Sequence, residues 1–449
     1  MNRNLRAAPS VQIYRVGGSV RDELLGRTGG DRDWVVVGAT PEILIASGYR
    51  PVGRDFPVFL HPETREEYAL ARTERKHGIG YRGFEFFASP DVTLLQDLER
   101  RDLTINAMAR AEDGTLIDPY GGAADLRAGV LRHVSPAFAE DPLRVLRVAR
   151  FAARFGFVVA PETEALLRAL ATGGELATLA PERVWQELAT GLMEPYPSRM
   201  LAVLRECGAL AQWLPEVDAL YGVPQHVGDH PEIDTGVHVA RALDYAAGKA
   251  FALPVRYGVL AHDLGKGATP RRSWPSHAGH EAQSVRLAER MSARLKVPLD
   301  CRDAGRLVAR WHGAVHSARE QPPAALLDLL LAADALRRPE RLDTLLEACE
   351  CDALSLPGRS GDYAPAQCLR DALATVKDVD AAAVARRIKA GAKAKIPTAI
   401  GAIPKAVRAA RLKALREWRK TQNPVPPVPK VKPGKRPPAS RRRRRASAA

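Results

Sequence analysis

The chain of 449 residues is poor in cysteine and has no long apolar run. Its five cysteines show neither the spacing of a zinc site nor that of a disulfide framework, so reduced, buried thiols are expected. No apolar stretch approaches the roughly 20 residues that a membrane-spanning helix needs. The sequence therefore predicts neither a membrane protein nor a domain held together by disulfides. The cysteines are Cys207, Cys301, Cys349, Cys351 and Cys368.

Two further absences lie at the ends of the chain. The first ten residues, M-N-R-N-L-R-A-A-P-S, lack the apolar segment of a secretory signal, and we expect a cytoplasmic protein. No acidic residue follows Glu417, but eleven lysines and arginines do, so the preceding chain carries only +4 of the net charge of +15 (15 less 11). This basic, proline-rich tail cannot build a core and is expected to be disordered. It would either attract RNA phosphates or keep the protein soluble.

The remaining composition is typical of a globular protein, with 46% hydrophobic and 27% charged residues. Strand-like and helix-like segments alternate over residues 11–137, and helical spacing dominates from Glu140 to about Arg419. We therefore expect an α+β fold in which a small α/β head precedes a mostly α-helical chain. The predicted strands are 12–16, 34–37, 58–61 and 67–71, the predicted helices are 19–25 and 41–46, and residues 72–83 are predicted to form a mobile basic loop.

The segment V-G-G-S-V-R-D-E-L-L-G-R-T-G-G-D-R-D-W-V-V-V near the start of the chain combines two features of phosphoryl-transfer sites. The first is a phosphate-sized turn. Gly17 and Gly18 lie between a predicted strand and a predicted helix, which Ser19 and Asp22 could cap. Backbone N–H groups at such a turn, together with Arg21 one turn along, suit a triphosphate.

The second feature is a pair of carboxylates, Asp31 and Asp33, at the start of the apolar run. Residues two apart in a strand point to the same face, so both would face one site. Hard oxygen ligands placed this way suit two Mg²⁺ ions, which would polarise an attacking hydroxyl and steady a leaving pyrophosphate. Glu67 on the neighbouring strand could be a third carboxylate or simply an exposed glutamate. Each element alone is common in turns and solvated loops, but their order favours phosphoryl transfer.

The segment R-D-L-T-I-N-A at residues 101–107 is expected to form the opening turns of a helix. Arg101 could neutralise a triphosphate, and Asp102 and Asn106, four apart on one face, could hold ribose hydroxyls. A charged, capped helix start without a ligand is the alternative. Farther on, D-P-Y-G-G predicts a bend that could serve as a hinge or be merely a loop.

A third segment, E-D-P-L-R-V-L-R-V-A-R-F-A-A-R-F, predicts an amphipathic helix. Apolar residues occupy one side, and the other side carries Arg144, Arg147, Arg150 and Arg154. A like-charged stripe destabilises an isolated helix, so we expect it to face phosphates or acids, although a solvated face is possible. Asp141 and Arg144, three apart, would together offer an acceptor and donors. That pattern matches the edges of cytosine and adenine and would select them over guanine and uracil.

Histidines and carboxylates cluster in the second half of the chain. The segment A-H-D-L-G-K-G places His262 beside Asp263, and further histidines flank it. Ligands spread over several helices can converge on one or two divalent ions and leave a position for water. The sequence therefore predicts a metallohydrolase site. Its candidate ligands are His238, His262, Asp263, His280, His312 and Asp334, with His277 and His316 nearby.

In this order the motifs resemble those of bacterial CCA-adding enzymes, the class II tRNA nucleotidyltransferases, in the long form that carries an HD phosphohydrolase domain. G-G-S-V-R-D with D-R-D is similar to the first motif of that family, R-R-D-L-T-I-N-A to the second, D-P-Y-G-G-A-A-D-L to the third and E-D-P-L-R-V-L-R-V-A-R to the fourth. P-E-R-V-W-Q-E-L continues the pattern. The resemblance spans about residues 12–418 and does not include the basic tail.

The resemblance implies a polymerase-β-like head that adds C, C and A to the 3′ end of tRNA from CTP and ATP without a nucleic-acid template. It implies Mg²⁺ at the catalytic pair Asp31 and Asp33, and Asp141 with Arg144 as the template for the base. The HD domain would hydrolyse 2′,3′-cyclic phosphates and 2′-nucleotides with Ni²⁺ or another divalent transition metal. Such a protein would be a monomer or a homodimer. Further nucleotide contacts are expected from Gly18, Arg21, Arg101, Asp102, Asn106, Arg147 and Arg150.

Five segments follow from these interpretations. They are a nucleotidyltransferase head at residues 1–137, a helical neck for base recognition at 138–223, an HD domain at 224–355, a C-terminal helical region at 356–420 and a basic tail at 421–449. Two rival functions stay open: a poly(A) polymerase, which shares the head motifs, and an HD nucleotidase whose head only binds RNA. A non-catalytic tRNA-binding module would need neither the carboxylate pair nor the metal cluster.

Overall fold

The structure is a computed structural model that describes residues 11–27, 31–52, 58–76, 84–225, 234–356, 358–391 and 401–422. The chain divides into two units, Met1–Leu373 and Ala374–Ala449. The predicted basic tail lies outside the described residues from residue 423 onward. Among the described helices, none is long and apolar enough to cross a membrane. The five cysteines are unpaired, and all but Cys368 are buried.

A mixed sheet with short helices forms the first part of the chain. The strands of this part of the chain are β1 (Gln12–Val16), β2 (Asp33–Val37), β3 (Arg50–Val52), β4 (Val58–Leu60), β5 (Glu67–Leu70), β6 (Arg72–Lys76), β7 (Phe84–Ala88), β8 (Ala109–Arg110), β9 (Leu116–Ile117) and β10 (Val130–Leu131). Its helices are α1 (Gly18–Leu24), α2 (Pro41–Ala46), α3 (Leu94–Glu99) and α4 (Gly122–Ala128). Seven strands are ordered β3-β4-β5-β2-β1-β8-β9. Strand β2 pairs antiparallel with β1 and parallel with β5, a register that sets Asp33 opposite Glu67.

Both faces of this sheet are covered, which is why strand β2 is nearly continuously apolar. Val36 packs on one face in a cluster with Leu44 of α2. Val35 packs on the other face in a cluster with Leu98 of α3. Since side chains alternate along a strand, Asp33 lies on the same face as Val35. Asp33 therefore projects on the side of the sheet that α3 covers.

In the described residues that follow, strand β11 (Val158–Val159) pairs with β10, and the structure is mainly helical. Its helices are α5 (Arg144–Phe155), α6 (Pro161–Thr172), α7 (Pro181–Met193), α8 (Pro197–Glu206), α9 (Ala209–Trp213), α10 (Pro215–Asp218), α11 (Thr235–Gly248), α12 (Leu253–Ala261), α13 (His280–Arg294), α14 (Leu299–His316), α15 (Pro323–Ala332), α16 (Pro339–Leu354) and α17 (Ala364–Lys377). The second unit contains α18 (Ala381–Gly391) and α19 (Ala402–Thr421). The predicted class, a mixed-sheet head followed by a mainly helical body, is confirmed.

Helix α5 has the predicted amphipathic form. Val145, Leu146 and Ala149 are fully buried. The helix ends at Gly156, whose φ of 71° is the left-handed conformation that closes many helices. The apolar side of α5 therefore packs inward, and its arginine side is left to face the head.

The helices that follow α5 are tied to the histidine-bearing helices by a buried arginine. Arg256 on α12 is only 3% exposed. It donates from Nη1 to the carbonyl oxygens of Leu192 (2.8 Å) and Glu194 (3.2 Å), at the end of α7. Ser198 on α8 also donates from Oγ to Asp244 on α11 over 2.6 Å. Hydrogen bonds to a buried charge are strong, so they hold helices α7 and α8 against α12 and α11.

Three local predictions were wrong. Helix α1 is not capped by Ser19 or Asp22, because Gly17 is its N-cap and the Ser19 hydroxyl donates back to the carbonyl of Val16 (3.0 Å). Within residues 101–107 only Thr104–Asn106 form a helical turn, a short 3₁₀ turn, and Thr104 donates its N–H to the carbonyl of Arg132. The first part of the predicted loop at 72–83 is strand β6, paired with β7, and residues 77–83 lie outside the described part.

We expect Gly122→Ala to destabilise the head, because a Cβ at this position would overlap the backbone carbonyl of Thr104. Gly122 opens α4 and donates its N–H to Asp118 over 2.7 Å, so it cannot easily move away. Overpacking of this kind costs roughly 1–3 kcal/mol, measurable by urea unfolding. Gly248→Ala is the matched control, since no atom lies within 4 Å of its added Cβ. Equal stability of the two variants would contradict the expectation.

Candidate active sites

A cleft of about 560 Å³ lies between the head sheet and helix α5. It brings together most of the residues that the motifs singled out, from four separate segments of the chain. Asp31 is not among its lining residues; it is exposed and precedes strand β2. The lining includes Gly17, Gly18, Arg21, Asp33, Glu67, Arg101, Asp102, Asn106, Asp141, Arg144, Arg147, Arg150, Arg154 and Arg183.

The Gly-Gly turn leaves room for the side chain of Arg101 to pass close to its backbone. Gly17 has a φ of 65°, and a Cβ there would come within 2.7 Å of Arg101 Nη1. Arg101 also donates from Nη1 to the carbonyl of Asn106 over 3.3 Å. The first N–H groups of α1 have no intrahelical acceptor, as at any helix start. The turn therefore presents donors and a guanidinium on one side of the cleft.

Acidic groups meet on the opposite wall. The register of β2 and β5 sets Asp33 beside Glu67, which the sequence left as either a ligand or an exposed side chain. Partial desolvation in the cleft raises the pKa of Asp33, and the negative charges of Glu67 and Asp31 raise it further against the opposing effect of Arg101. Clustered carboxylate oxygens are the donor set that Mg²⁺ prefers. This wall therefore fits a divalent cation.

A chain of hydrogen bonds fixes two of the arginines. Arg21 donates from Nη1 to Asn106 Oδ1 (2.5 Å), and Asn106 donates from Nδ2 to Asp102 Oδ1 (2.9 Å). Arg147 on α5 donates from Nε to Asp102 Oδ2 (2.8 Å). Asp102 is 7% exposed. Both of its oxygens are thus committed to protein partners, so in this conformation it anchors Arg147 instead of presenting a free acceptor for a ribose.

Asp141 and Arg144 both line the cleft, but they are not neighbours on a helix. Asp141 is extended and precedes α5, where its carboxylate accepts from the N–H of Leu143 (3.0 Å). The Arg144 guanidinium donates to the carbonyl oxygens of Arg100 (2.6 Å) and Ala137 (3.0 Å). Each side chain is therefore oriented by backbone groups, independently of the other.

Helix α7 supplies two residues that the motif analysis did not single out. Arg183 donates from Nη2 to Asp141 Oδ2 over 3.4 Å. Glu187 forms an ion pair with Arg150 over 2.7 Å. The signal was present in P-E-R-V-W-Q-E-L, where residues four apart share a helical face. The arginine stripe of α5 does face acids, since its partners in this structure include Asp102 and Glu187.

The histidines form a second site with two groups of potential ligands. His238, His262 and Asp352 form one group, and Asp263, His280 and His312 form the other; in each, the ligand atoms lie within 4.8 Å of one another. In the first group, His238 Nε2 is 2.8 Å and His262 Nε2 is 3.7 Å from Asp352 Oδ1. In the second, His280 Nε2 is 3.1 Å and His312 Nε2 is 3.6 Å from Asp263 Oδ1.

Backbone carbonyls orient the imidazole rings. Nδ1 lies 2.7 Å from the Val259 carbonyl in His262, and 3.1 Å from a backbone carbonyl in both His280 and His312. A carbonyl can only accept, so Nδ1 carries the proton in each neutral ring and Nε2 keeps a lone pair. The His280 and His312 Nε2 atoms lie 3.2 Å apart. Lone pairs directed at one point are how histidines bind a metal.

The residues present fit a divalent ion. His262 Nε2 and Asp263 Oδ1 are buried atoms without a hydrogen-bond partner among the described residues. Burial lowers the pKa of His262, but the carboxylates of Asp263 and Asp352 outweigh it and raise that pKa to about 9. The pKa of His312 falls to about 3 through burial, which Asp263 only partly opposes. A cation at the centre would satisfy these orphaned atoms.

One predicted ligand was wrong and another residue takes its place. Asp334 lies outside both groups, because its carboxylate accepts from Arg338 Nε over 3.0 Å on the same stretch of chain. Asp352 on α16 supplies the acid instead. His277 is also outside the groups; its Nε2 contacts the carbonyl of Pro224 (2.7 Å) and its Nδ1 the hydroxyl of Thr269 (2.7 Å).

We expect Asp102→Asn to destabilise the protein at pH 7 and to do so less in acid. Burial opposes ionisation of Asp102, but Arg147 and Asn106 hold its pKa well below the ordinary value. Its contribution is therefore present above the unfolded-state pKa of about 4 and disappears as pH falls toward the folded-state pKa. Loss of the charge should cost roughly 2 kcal/mol at pH 7.

The measurement is urea unfolding of both proteins at pH 7 and at about pH 3.5. The difference between them should shrink at the lower pH. Asp91→Asn, at an exposed acid, is the control for acid effects elsewhere in the protein. A difference that stays constant with pH would mean that the Asp102 charge is not the source of the stability.

Two parts of the chain match known protein families, and the fold matches solved structures. Residues 13–132 match the poly A polymerase head domain, and residues 156–221 match a probable RNA and SrmB-binding site of polymerase A. The fold is similar to a crystal structure of the Bacillus stearothermophilus CCA-adding enzyme in complex with CTP (TM-score 0.62, 23% identity, 94% of this chain and 96% of that one). It is also similar to the Thermotoga maritima CCA-adding enzyme complexed with tRNA (TM-score 0.58, 21% identity, 92% and 89%).

Sequence relatives are much more similar. The multifunctional CCA protein of Nitrosomonas europaea is 57% identical over 408 residues, which cover 90% of this chain and 99% of that protein. The multifunctional CCA protein of Azoarcus sp. strain BH72 is 58% identical over 408 residues, which cover 90% and 98%. Identity at this level over nearly the whole length of both relatives shows that the chain belongs to the family of multifunctional CCA proteins.

Proposed function

We propose that this protein adds the terminal C, C and A to the 3′ end of tRNA from CTP and ATP, and that its histidine site hydrolyses phosphate esters. One observation carries the first part: a single cleft holds an acidic wall at Asp33 and Glu67 and a set of arginines from α1, the 101–107 turn and α5. Nucleotidyl transfer needs both, since a triphosphate requires cations and its metal ions require carboxylates. The names of the relatives support the tRNA substrate.

The arginines bind the triphosphate in this proposal. Arg21 and Arg101 approach the Gly-Gly turn, and Arg147 and Arg150 reach the same cleft from α5. Their partners Asp102, Asn106 and Glu187 hold the guanidinium groups in place before the nucleotide arrives. Preoriented cations lose little conformational entropy on binding, which favours a highly charged ligand.

The reaction joins the 3′-hydroxyl of tRNA to the α-phosphate of the nucleotide. A P–O bond to that hydroxyl forms, the bond between the α-phosphate and the bridging oxygen of the β-phosphate breaks, the hydroxyl loses its proton, and pyrophosphate leaves. Mg²⁺ ions at Asp31 and Asp33 would supply charge neutralisation and lower the pKa of the hydroxyl. Arg21 and Arg101 stabilise the charge on the departing pyrophosphate.

Base choice is assigned to Asp141 and Arg144. The carboxylate accepts from an exocyclic amine and the guanidinium donates to a ring nitrogen, the pattern that cytosine and adenine share. Arg183 and the backbone carbonyls of Arg100 and Ala137 hold the two side chains at fixed positions in the cleft. A rigid pair of this kind discriminates because the wrong base leaves a buried polar group unpaired.

The histidine site is the second part of the proposal. Its two ligand groups would hold one or two divalent ions, Ni²⁺ among them, and Asp263 lies between the groups because its two oxygens face different histidines. A bound ion would polarise a phosphate ester and lower the pKa of water. Lys266, with Nζ 2.7 Å from Asp263 Oδ2, holds the bridging carboxylate from outside the cluster. Cyclic 2′,3′-phosphates and 2′-nucleotides are the proposed substrates.

We expect the full-length protein to extend tRNA lacking its CCA end by two residues with CTP alone, by three with CTP and ATP together, and by none with ATP alone. Gel analysis of the products measures this. Long A-tails without C incorporation would identify a poly(A) polymerase instead.

Asp33→Ala should reduce addition by at least ~100-fold, because the acidic wall loses a metal ligand, while hydrolysis by the histidine site persists.

We expect Asp352→Asn to lose most of its metal content and its hydrolysis of 2′,3′-cyclic AMP, because one of the two ligand groups is then incomplete. Asp334→Asn is the matched control and should retain both, since Asp334 pairs with Arg338 away from the cluster. Metal content is measured by elemental analysis and hydrolysis by chromatographic detection of the AMP that ring opening produces. Both variants should still add CCA; loss of addition in Asp352→Asn alone would show that the two sites are not independent.

A further inference from the structure

A chain of two hydrogen bonds leads from the metal-ligand candidate Asp352 to a tyrosine beyond helix α16. His316, at the end of α14, places Nε2 2.7 Å from Asp352 Oδ2. Its other ring nitrogen, Nδ1, lies 2.6 Å from the hydroxyl of Tyr363. Neither His316 nor Tyr363 belongs to the two ligand groups. Both nevertheless belong to a hydrogen-bond chain that ends at Asp352, which is a member of the first group.

The chemistry of the three groups sets the direction of both bonds. The Asp352 carboxylate faces three imidazoles, those of His238, His262 and His316. An ionised carboxylate only accepts, so the proton of a neutral His316 is on Nε2 and Nδ1 is the acceptor. Tyr363 then donates its hydroxyl proton. Burial raises the pKa of Tyr363 further above neutrality, which keeps it a phenol.

The two oxygens of the Asp352 carboxylate therefore contact different partners. Its Oδ2 is occupied by His316, while its Oδ1 faces His238 at 2.8 Å and His262 at 3.7 Å. Without His316, Oδ2 would lose the donor that the described residues provide for it, and the carboxylate could rotate about its terminal torsion, which is broad. Tyr363 acts one step farther out, because its hydroxyl fixes the tautomer that allows His316 to donate.

We propose that His316 and Tyr363 are positioning residues of the histidine site, and that they aim Asp352 Oδ1 at the divalent cation bound there. The inference rests on the proposed function of that site. Partners of this kind, outside the direct ligands, typically change metal affinity by 10–100-fold. They differ from ordinary packing residues, whose lost hydroxyl lowers stability without affecting a bound ion.

The location of Tyr363 supports a role for the segment after α16 in the same site. Tyr363 immediately precedes α17, whose Leu369 and Ala372 are completely buried. Arg370 on this helix pairs with Asp343 on α16 over 3.4 Å. The segment from Tyr363 to Arg370 is therefore held against α16 and the end of α14, which fixes the position of the Tyr363 hydroxyl.

The test is Co²⁺ titration of the full-length, metal-free protein by calorimetry, together with the visible absorption spectrum of the Co²⁺ form. Tyr363→Phe should weaken Co²⁺ binding about 10-fold and alter the spectrum. His316→Leu should weaken it about 100-fold, the upper end of the same range. His316→Gln should lie between, because its Nε2 can still donate to Asp352. Thermal unfolding without metal checks that each variant is folded.

Tyr245→Phe is the matched control. Its hydroxyl also donates to a carboxylate of α16, that of Glu350 (3.1 Å), but Glu350 is not in either ligand group. This variant should bind Co²⁺ like the wild type. CCA addition should be unchanged in all four variants, because none of these residues lines the head cleft.

The experiment distinguishes a failure of the proposed hydrolytic site from a failure of the role assigned to His316 and Tyr363. If the wild-type protein binds no Co²⁺, the proposed hydrolytic site is wrong and the inference falls with it. If the wild type binds Co²⁺ and Tyr363→Phe and His316→Gln bind it with the same affinity and spectrum, the proposed site stands and the inference alone is overturned. A drop in thermal stability without a change in Co²⁺ binding also overturns it, because that result describes a packing role.

Discussion

The buried carboxylate of Asp102 is the constraint on which the nucleotide cleft depends. A charge removed from water must be surrounded by donors, and the Asp102 donors come from different parts of the chain: Asn106 from its own turn and Arg147 from α5. Asn106 in turn accepts from Arg21 of α1. Satisfying one carboxylate therefore fixes three elements around the cleft, and it also orients Arg21 and Arg147.

The histidine site is built on the opposite electrostatic requirement. In the cleft, fixed arginines await an anion; in the histidine site, lone pairs and carboxylates converge on a point where a cation belongs. Backbone carbonyls that accept from Nδ1 of His262, His280 and His312 make this possible, since they leave Nε2 free to be a ligand. The orphaned atoms His262 Nε2 and Asp263 Oδ1 are the cost of holding such a site ready.

Local features of both sites could be predicted from sequence because they depend on neighbouring residues. The Gly-Gly turn, strands β1 and β2 and the arginine stripe of α5 follow from glycine conformation and hydrophobic periodicity. Glu67 could not be assigned, because its place beside Asp33 depends on the register of β2 with β5. Arg183 and Glu187 were missed since they reach the cleft only through the packing of α7.

The error at Asp334 shows the same limit. Asp334 and Asp352 are both acids in apolar helical surroundings, and nothing local says which of them faces the histidines. The one available clue was Arg338, four residues after Asp334, because residues at this spacing form ion pairs that satisfy an acid locally. Asp352 had no such partner nearby in sequence; its partners His238 and His316 lie far away along the chain. Tyr363 could be found only through His316.

Helix α7 packs near both sites and faces them with different side chains. Its polar residues Arg183 and Glu187 serve the nucleotide cleft. Its Trp185 packs edge-on against Tyr257 of α12, with ring centroids 5.5 Å apart, five residues before His262. The polar side of α7 therefore contacts residues of the cleft, while its apolar side packs against the helix that leads to His262. A substitution on the apolar face of α7 would disturb a core that both sites share.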